Sequence, residues 1–258
     1  MRNWNDLAGE ITNWISDYAL ENGIRSLVVG VSGGVDSAVT STLSARTGIR
    51  TIVLNMPIHQ KKQQNDLSKK HISWLKDNFN NVEERIVNLS KTYDSFVETV
   101  SANEVSDLAL ANSRARLRMT ALYATAGSNG GIVVGTGNKV EDFGVGFYTK
   151  YGDGGVDISP IADLLKTEVY QIARELDIIE EIIQAAPTDG LWGDGRSDED
   201  QLGASYEELE WAMEETKNPS NKDLSEREKE VFGIFQRLNK SNSHKMNPIP
   251  VFKLYPED

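Results

Sequence analysis

The stretch Gly30-Val31-Ser32-Gly33-Gly34-Val35-Asp36-Ser37 constrains this chain more than any other. It follows Ser26-Leu27-Val28-Val29, a β-branched run that reads as a buried strand, and precedes a segment from about Asp36 to Thr47 that reads as a helix. A strand, a glycine turn and a helix start therefore meet at one point. Gly33 and Gly34 allow a tight turn and a close approach to a ligand, while Ser32, Ser37 and the free amides of the first helical turn offer hydrogen bonds to phosphate oxygens. The product is an anion cradle. No Lys-Ser/Thr pair closes it as in a Walker loop, and the chain contains no Gly-x-Gly-x-x-Gly fingerprint. Asp36 adds a second constraint: a carboxylate beside a phosphate site is repelled unless a cation lies between them, which implies Mg²⁺ held jointly with a triphosphate.

The pattern around the cradle alternates strand and helix. Leu7, Ile11, Trp14, Ile15, Tyr18 and Ala19 fall on one face of an opening helix. Strands are expected at Thr51 to Leu54, Glu84 to Leu89 and Gly131 to Gly135, with helices at Gln63 to Asn78, Lys91 to Val100 and Glu104 to Ala126 between them. Such alternation predicts an α/β fold, a doubly wound parallel sheet with helices on both faces and ligands at the carboxyl ends of the strands. Helices are then expected at Lys166 to Leu176, Ile178 to Ala185, Tyr206 to Thr216 and Leu224 to Ser241, and Gly190 to Gly203 reads as a Gly/Asp-rich loop. The 258 residues suffice for one domain, 1–258.

Charge and composition narrow the function. Lys and Arg total 27 against 39 Asp and Glu, a net charge of −12, which argues against a nucleic-acid partner. The absence of cysteine excludes disulfides and a thiolate nucleophile, so a Cys-dependent glutaminase activity would need another domain. There is no apolar run of membrane-spanning length and no signal-peptide pattern, and a cytoplasmic protein is the expectation. His59 and His71 read as surface or packing residues, Lys139 as solvated, and no His/Cys/Asp cluster suggests zinc.

The cradle octet resembles the pyrophosphate loop of the ATP pyrophosphatases, which cleave ATP between its α and β phosphates. Further blocks extend the likeness: Asn112-Ser-Arg-Ala-Arg-Leu-Arg-Met119, Gly135-Thr-Gly-Asn-Lys-Val-Glu141, Phe147-Tyr-Thr-Lys-Tyr-Gly-Asp-Gly-Gly-Val-Asp157, Pro187-Thr188 and Ser243-His-Lys245. In that order the set resembles the ammonia-dependent NAD synthetases along almost the whole chain. The resemblance implies an adenine nucleotide alpha hydrolase-like fold, a homodimer, and ATP-dependent amidation of nicotinate adenine dinucleotide (deamido-NAD) by ammonia through an acyl adenylate, giving NAD, AMP and pyrophosphate. It also implies roles. Gly30, Val31, Ser32, Gly33, Gly34, Val35, Asp36, Ser37, Thr136, Lys166 and Thr188 would bind ATP, with Asp36 and Glu141 on Mg²⁺. Arg116, Lys150, Asp157, His244 and Lys245 would contact the dinucleotide, and Asp36, Lys150 and Lys166 would serve the chemistry. Asp153 is a candidate on the residues themselves: ammonia is almost wholly ammonium at neutral pH, and a carboxylate between glycines in the 150–157 loop can fold over the site and collect that cation. The long helix carrying Arg116 is the expected dimer contact.

Two positions depart from that family's pattern: Met246 replaces a basic residue after His244-Lys245, and Asp189 stands where a small residue is expected. Competing readings are another adenylylating ligase with the same loop, such as a purine-nucleotide amidase, and a nucleotide-binding module without catalysis. The second would be expected to lack Asp36 or Glu141, and both are present.

Overall fold

Ser26 pairs in parallel with Arg50 on one side and with Gly131 on the other, so the strand that feeds the cradle is central in its sheet. The computed structural model describes residues 3–60, 62–100, 104–188, 196–220 and 222–254. In chain order its elements are α1 (Trp4–Glu21), β1 (Ser26–Gly30), α2 (Val35–Arg46), β2 (Arg50–Asn55), α3 (Lys62–Asn78), β3 (Val82–Ile86), α4 (Ser90–Thr99), α5 (Asp107–Asn129) and β4 (Gly131–Val133). There follow a π-helical turn (Val140–Val145), α6 (Lys166–Glu175), α7 (Glu180–Ile183), α8 (Asp198–Leu202), α9 (Tyr206–Lys217) and α10 (Glu226–Met246). The strands form one parallel sheet in the order β3-β2-β1-β4. The order reverses between β1 and β4, and that switch point opens a crevice at their carboxyl ends.

The period-2 alternation of the strands builds a core on each face. Leu27, Val29 and Ile132 pack with Ile15 of α1, Val39 of α2 and Ile172 of α6. Val28, Ile52, Leu54 and Val133 face the other way, toward Leu122 and Ala126 of α5. Full burial of each such aliphatic side chain contributes roughly 1.5–3 kcal/mol. A further cluster joins Val140 and Val145 of the π-turn to Tyr206, Leu209 and Met213 of α9 and to Val231 and Phe235 of α10. The C-terminal helices thus back the loop that follows β4.

Several local expectations shift. Trp14 is 48% exposed, because the buried stripe of α1 runs through Leu7, Ala8, Ile11, Thr12, Ile15 and Ala19, and Trp14 lies off it and meets Tyr18 instead. The third strand starts earlier than expected, at Val82: its charged residues sit on an exposed edge, where Glu83 pairs with Arg50 and Arg85. α7 is only Glu180–Ile183, and the end of the expected 190–203 loop forms α8, started by a Ser197–Asp200 capping box. Asp189 lies outside the described residues. Among the described residues no helix is long and apolar enough to cross a membrane.

Candidate active site

The cradle closes over the end of β1. Gly33 has φ +94°, and a Cβ there would stand 2.8 Å from the Gln64 carbonyl oxygen and 3.0 Å from the Ser68 amide, so both its conformation and the approach of α3 demand glycine. Ser68 Oγ in turn donates to the Val31 carbonyl at 2.8 Å. Within the loop the Gly34 amide donates to Ser32 Oγ at 3.2 Å and the Ser32 amide to Ser37 Oγ at 3.2 Å. Ser37 Oγ donates to the Gly34 carbonyl at 2.9 Å. These bonds aim the N-terminus of α2, with Asp36 in its first turn, at the crevice.

Two further elements bring charge to that point. Lys166 Nζ, at the start of α6, lies 2.6 Å from Asp36 Oδ2 and 3.3 Å from Glu141 Oε1 in the π-turn. Lys166 is 3% exposed. Burial alone would lower its pKa, but the Asp36 and Glu141 charges outweigh that and hold it above the ordinary lysine range, so the ammonium stays charged. Burial raises the Glu141 pKa, Lys166 opposes the rise and Asp36 reinforces it. Asp142 is pushed up to about 7, by burial first and then by Glu141, Asp153 and Asp36.

Asn138 and Tyr206 hold this cluster, and neither is among the residues to which the sequence assigned a role. Asn138 is fully buried, donates Nδ2 to Asp36 Oδ1 at 3.1 Å, and accepts the Val140 and Glu141 amides at 3.1 and 3.2 Å. It joins the cradle to the π-turn. Its place in Gly-Thr-Gly-Asn was the available signal. Tyr206, with no such signal, donates its hydroxyl to Glu141 Oε1 at 2.6 Å.

The crevice has a volume of about 550 Å³. Of the residues expected to bind ATP or metal, Gly30 to Ser37, Thr136, Glu141, Lys166 and Thr188 all line it, and Asp153 and Lys245 line it too. Lys245 Nζ donates to the Gly146 and Tyr148 carbonyls at 2.8 and 2.9 Å. Burial lowers its pKa, against the pull of Asp153. Asp153 accepts the Thr149 amide at 3.0 Å. Desolvation by the surrounding protein pushes its carboxyl upward, against the Thr149 hydrogen bonds and the Lys245 charge.

Arg116, Lys150, Asp157 and His244 are not on that lining. Arg116 donates to the Lys150 carbonyl at 3.3 Å, and Lys150 Nζ donates to the His244 carbonyl at 2.6 Å, which ties α5 to α10 through the loop. Asp157 accepts the Val133 amide at 2.7 Å and the Tyr123 hydroxyl at 3.1 Å, a bracing of β4. The His244 side chain is exposed. Lys139, expected to be solvated, pairs with Asp163 at 2.7 Å.

Oxygen ligands close enough to share one lysine ammonium suit a hard divalent cation. Among the described residues no group of three or more protein ligands gathers, and two carboxylates completed by nucleotide phosphates are the arrangement Mg²⁺ favours. An anion cradle, a carboxylate pair and a fixed ammonium around one crevice can together stabilise a departing pyrophosphate.

The NAD synthase family model matches residues 7–249. The chain is 37% identical over 212 residues to an NH(3)-dependent NAD(+) synthetase of Carboxydothermus hydrogenoformans, covering 81% of this chain and 84% of that protein. It is 35% identical over 255 residues to one from Methanosarcina acetivorans, covering 95% and 96%. The NMN synthetase structure of Francisella tularensis superposes with a TM-score of 0.86 at 28% identity, covering 99% of this chain and 100% of that one. Coverage from the first helix through α10 leaves no element of the crevice unmatched, and the chain belongs to the NAD synthase family, whose reaction is the ATP-dependent amidation of deamido-NAD by ammonia.

Proposed function

We propose that this chain adenylylates the nicotinate carboxylate of deamido-NAD and lets ammonia displace AMP, with the residues around the crevice in the following roles. The observation that carries the assignment is the Lys166 ammonium between Asp36 and Glu141 at the mouth of the cradle. A carboxylate oxygen of the substrate attacks the α-phosphorus, the bond to the β-phosphate bridging oxygen breaks, and pyrophosphate leaves. Ser32, Ser37 and the first amides of α2 receive that leaving group, and Lys166 offsets its charge. Mg²⁺, held by Asp36, Glu141 and the phosphates, would supply Lewis-acid stabilisation of the same oxygens. Ammonium first gives up a proton to solvent; the ammonia so formed attacks the acyl carbon, the carbon–oxygen bond to AMP breaks with its electron pair leaving on the AMP phosphate oxygen, and the surplus proton on nitrogen passes to solvent. Asp153, on the crevice lining beside Thr149, collects ammonium for this step.

Thr136 and Thr188 contact ATP, and Lys245 meets the dinucleotide. Arg116, Lys150, Asp157 and His244 act at the rim, where a second copy in a cytoplasmic homodimer would bring its own surface; exposed Leu108 and Tyr123 on α5 support that contact. A second reading has one observation behind it. The superposition on an NMN synthetase favours nicotinate mononucleotide as the acid. Incubation with ATP, Mg²⁺, ammonium and either acid decides between them: the expected products are AMP, pyrophosphate and NAD from deamido-NAD. Acid-dependent ADP formation would remove the cradle assignment, and a preference for the mononucleotide would establish the second reading.

A further inference from the structure

Tyr206 is 4% exposed and is not part of the crevice lining, yet it touches both charged partners of the site. Its hydroxyl donates to Glu141 Oε1 at 2.6 Å, and the Lys166 ammonium stands 4.6 Å from the centre of its ring. We propose that Tyr206 is a positioning residue for the adenylylation step. One side chain sets the spacing between the carboxylate and the ammonium that meet the triphosphate, by a hydrogen bond to the first and a ring face beneath the second. The inference rests on the reaction proposed above.

The setting of Tyr206 suits that role. A short donor to a carboxylate fixes its orientation and stabilises its ionised form, and a ring face beneath an ammonium offsets part of the cation's desolvation. The helix behind it is itself held. Ser205 and Glu208 form a capping box at 2.9 and 3.2 Å, and the Tyr206 amide donates to Glu199 Oε1 at 3.0 Å. One turn further along α9, Glu210 accepts the Thr167 amide at 2.9 Å and the Thr167 hydroxyl at 2.7 Å, which pins the start of α6 beside Lys166. α9 therefore grips the π-turn through Tyr206 and the start of α6 through Glu210, one helical turn apart.

The test compares the parental protein with Tyr206→Phe, which keeps the ring and loses the donor, and Tyr206→Leu, which loses both. Mn²⁺ is the probe, its binding in the presence of ATP followed by electron paramagnetic resonance, alongside kcat, KM and thermal unfolding. Tyr206→Phe is expected to weaken Mn²⁺ binding about tenfold or more and to lower kcat by a similar factor, with KM for ammonium unchanged. Tyr206→Leu is expected to raise KM for ATP as well, since Lys166 loses its seat. In a Glu141→Gln background, Tyr206→Phe should weaken Mn²⁺ binding no further, because the hydroxyl acts through that carboxylate. Parental Mn²⁺ affinity and kcat in Tyr206→Phe would overturn the proposal. Lowered thermal stability with unchanged Mn²⁺ affinity, or a loss in the double variant that adds to that of Glu141→Gln, would overturn it equally. The Mn²⁺ measurement needs no acid substrate, so a parental protein that binds Mn²⁺ and ATP but amidates neither acid removes the proposed reaction and leaves this inference to be decided by the Mn²⁺ result.

Discussion

Lys166 Nζ and Asp36 Oδ2 meet at 2.6 Å across 130 residues of chain, one at the start of α6 and the other in the first turn of α2. Two helix N-termini thus point at one spot. A lysine at a helix start opposes the helix dipole and is stable here only because Asp36 and Glu141 face it. A local rule broken with such compensation marks a candidate ligand site, and the ligand proposed for it is a polyanion arriving with its own cation.

Replacing Lys166 with Met leaves two largely buried carboxylates facing each other without a cation. Loss of one partner of a buried pair costs about 3–5 kcal/mol, and the urea midpoint at neutral pH should fall accordingly. The raised Glu141 pKa gives the pH dependence: as pH falls Glu141 takes up a proton more readily, and the stability gap between Lys166→Met and the parent should narrow. A gap that is constant between pH 7 and 5 would show that the pair contributes nothing specific.

Asp36→Asn and Glu141→Gln should each lower turnover by about a hundredfold or more with the fold intact, because in the proposed mechanism each removes an oxygen ligand where charge develops. Activity measured against Mg²⁺ concentration checks this. Near-parental rates at limiting Mg²⁺ in either variant would take that residue out of the metal site.

Asp153→Asn should weaken the use of ammonium while the adenylate still forms. With deamido-NAD as substrate, AMP release would continue by hydrolysis as the yield of NAD falls. Unchanged ammonium dependence with full coupling of AMP to NAD would return Asp153 to holding the Thr149 amide and nothing more.

His71 is fully buried between α2 and α3, with Nε2 3.0 Å from Ser41 Oγ and its ring stacked on Trp74. Burial is the main cause that lowers its pKa from 6.5 to about 4. The imidazole is therefore neutral in the folded protein while the unfolded chain protonates below 6.5. Its contribution to stability is present above that pH and is lost as pH falls toward 4, by ~3 kcal/mol in total. His71→Phe keeps the stacking partner, and Ser41 Oγ keeps its bonds to the Ser37 and Ala38 carbonyls. Urea unfolding at pH 7, 5.5 and 4.5 should show a smaller pH slope for His71→Phe than for the parent. Equal slopes would place the acid sensitivity elsewhere.

The cradle was legible because its determinants are local. β1, Gly33, Gly34 and the start of α2 lie within Ser26 to Ser37, and a β-branched run, a glycine with φ +94° and two serines declare themselves within that span. The parallel sheet was legible for the same reason, since buried central strands such as Leu27 to Val29 and Ile52 to Leu54 are continuous apolar runs. β3 was placed less well because an edge strand half open to water has little apolar signature, and Glu83, Glu84 and Arg85 hide it.

What the sequence determined by itself was a glycine turn with the donors of an anion cradle on a parallel sheet flanked by helices, together with the residues able to serve it. The tertiary structure alone decided which of them share the crevice. It placed Lys166 between Asp36 and Glu141, made Asn138 the link from the cradle to the π-turn, and set Tyr206 behind Glu141 across 65 residues. It left the Arg116, Lys150, Asp157 and His244 side chains off that lining. The physical reason is range. A turn or a helix cap is specified by neighbours a few residues away, whereas the spacing of opposite charges in a buried site is set by how α6, α9 and the π-turn pack, and no local pattern encodes that distance.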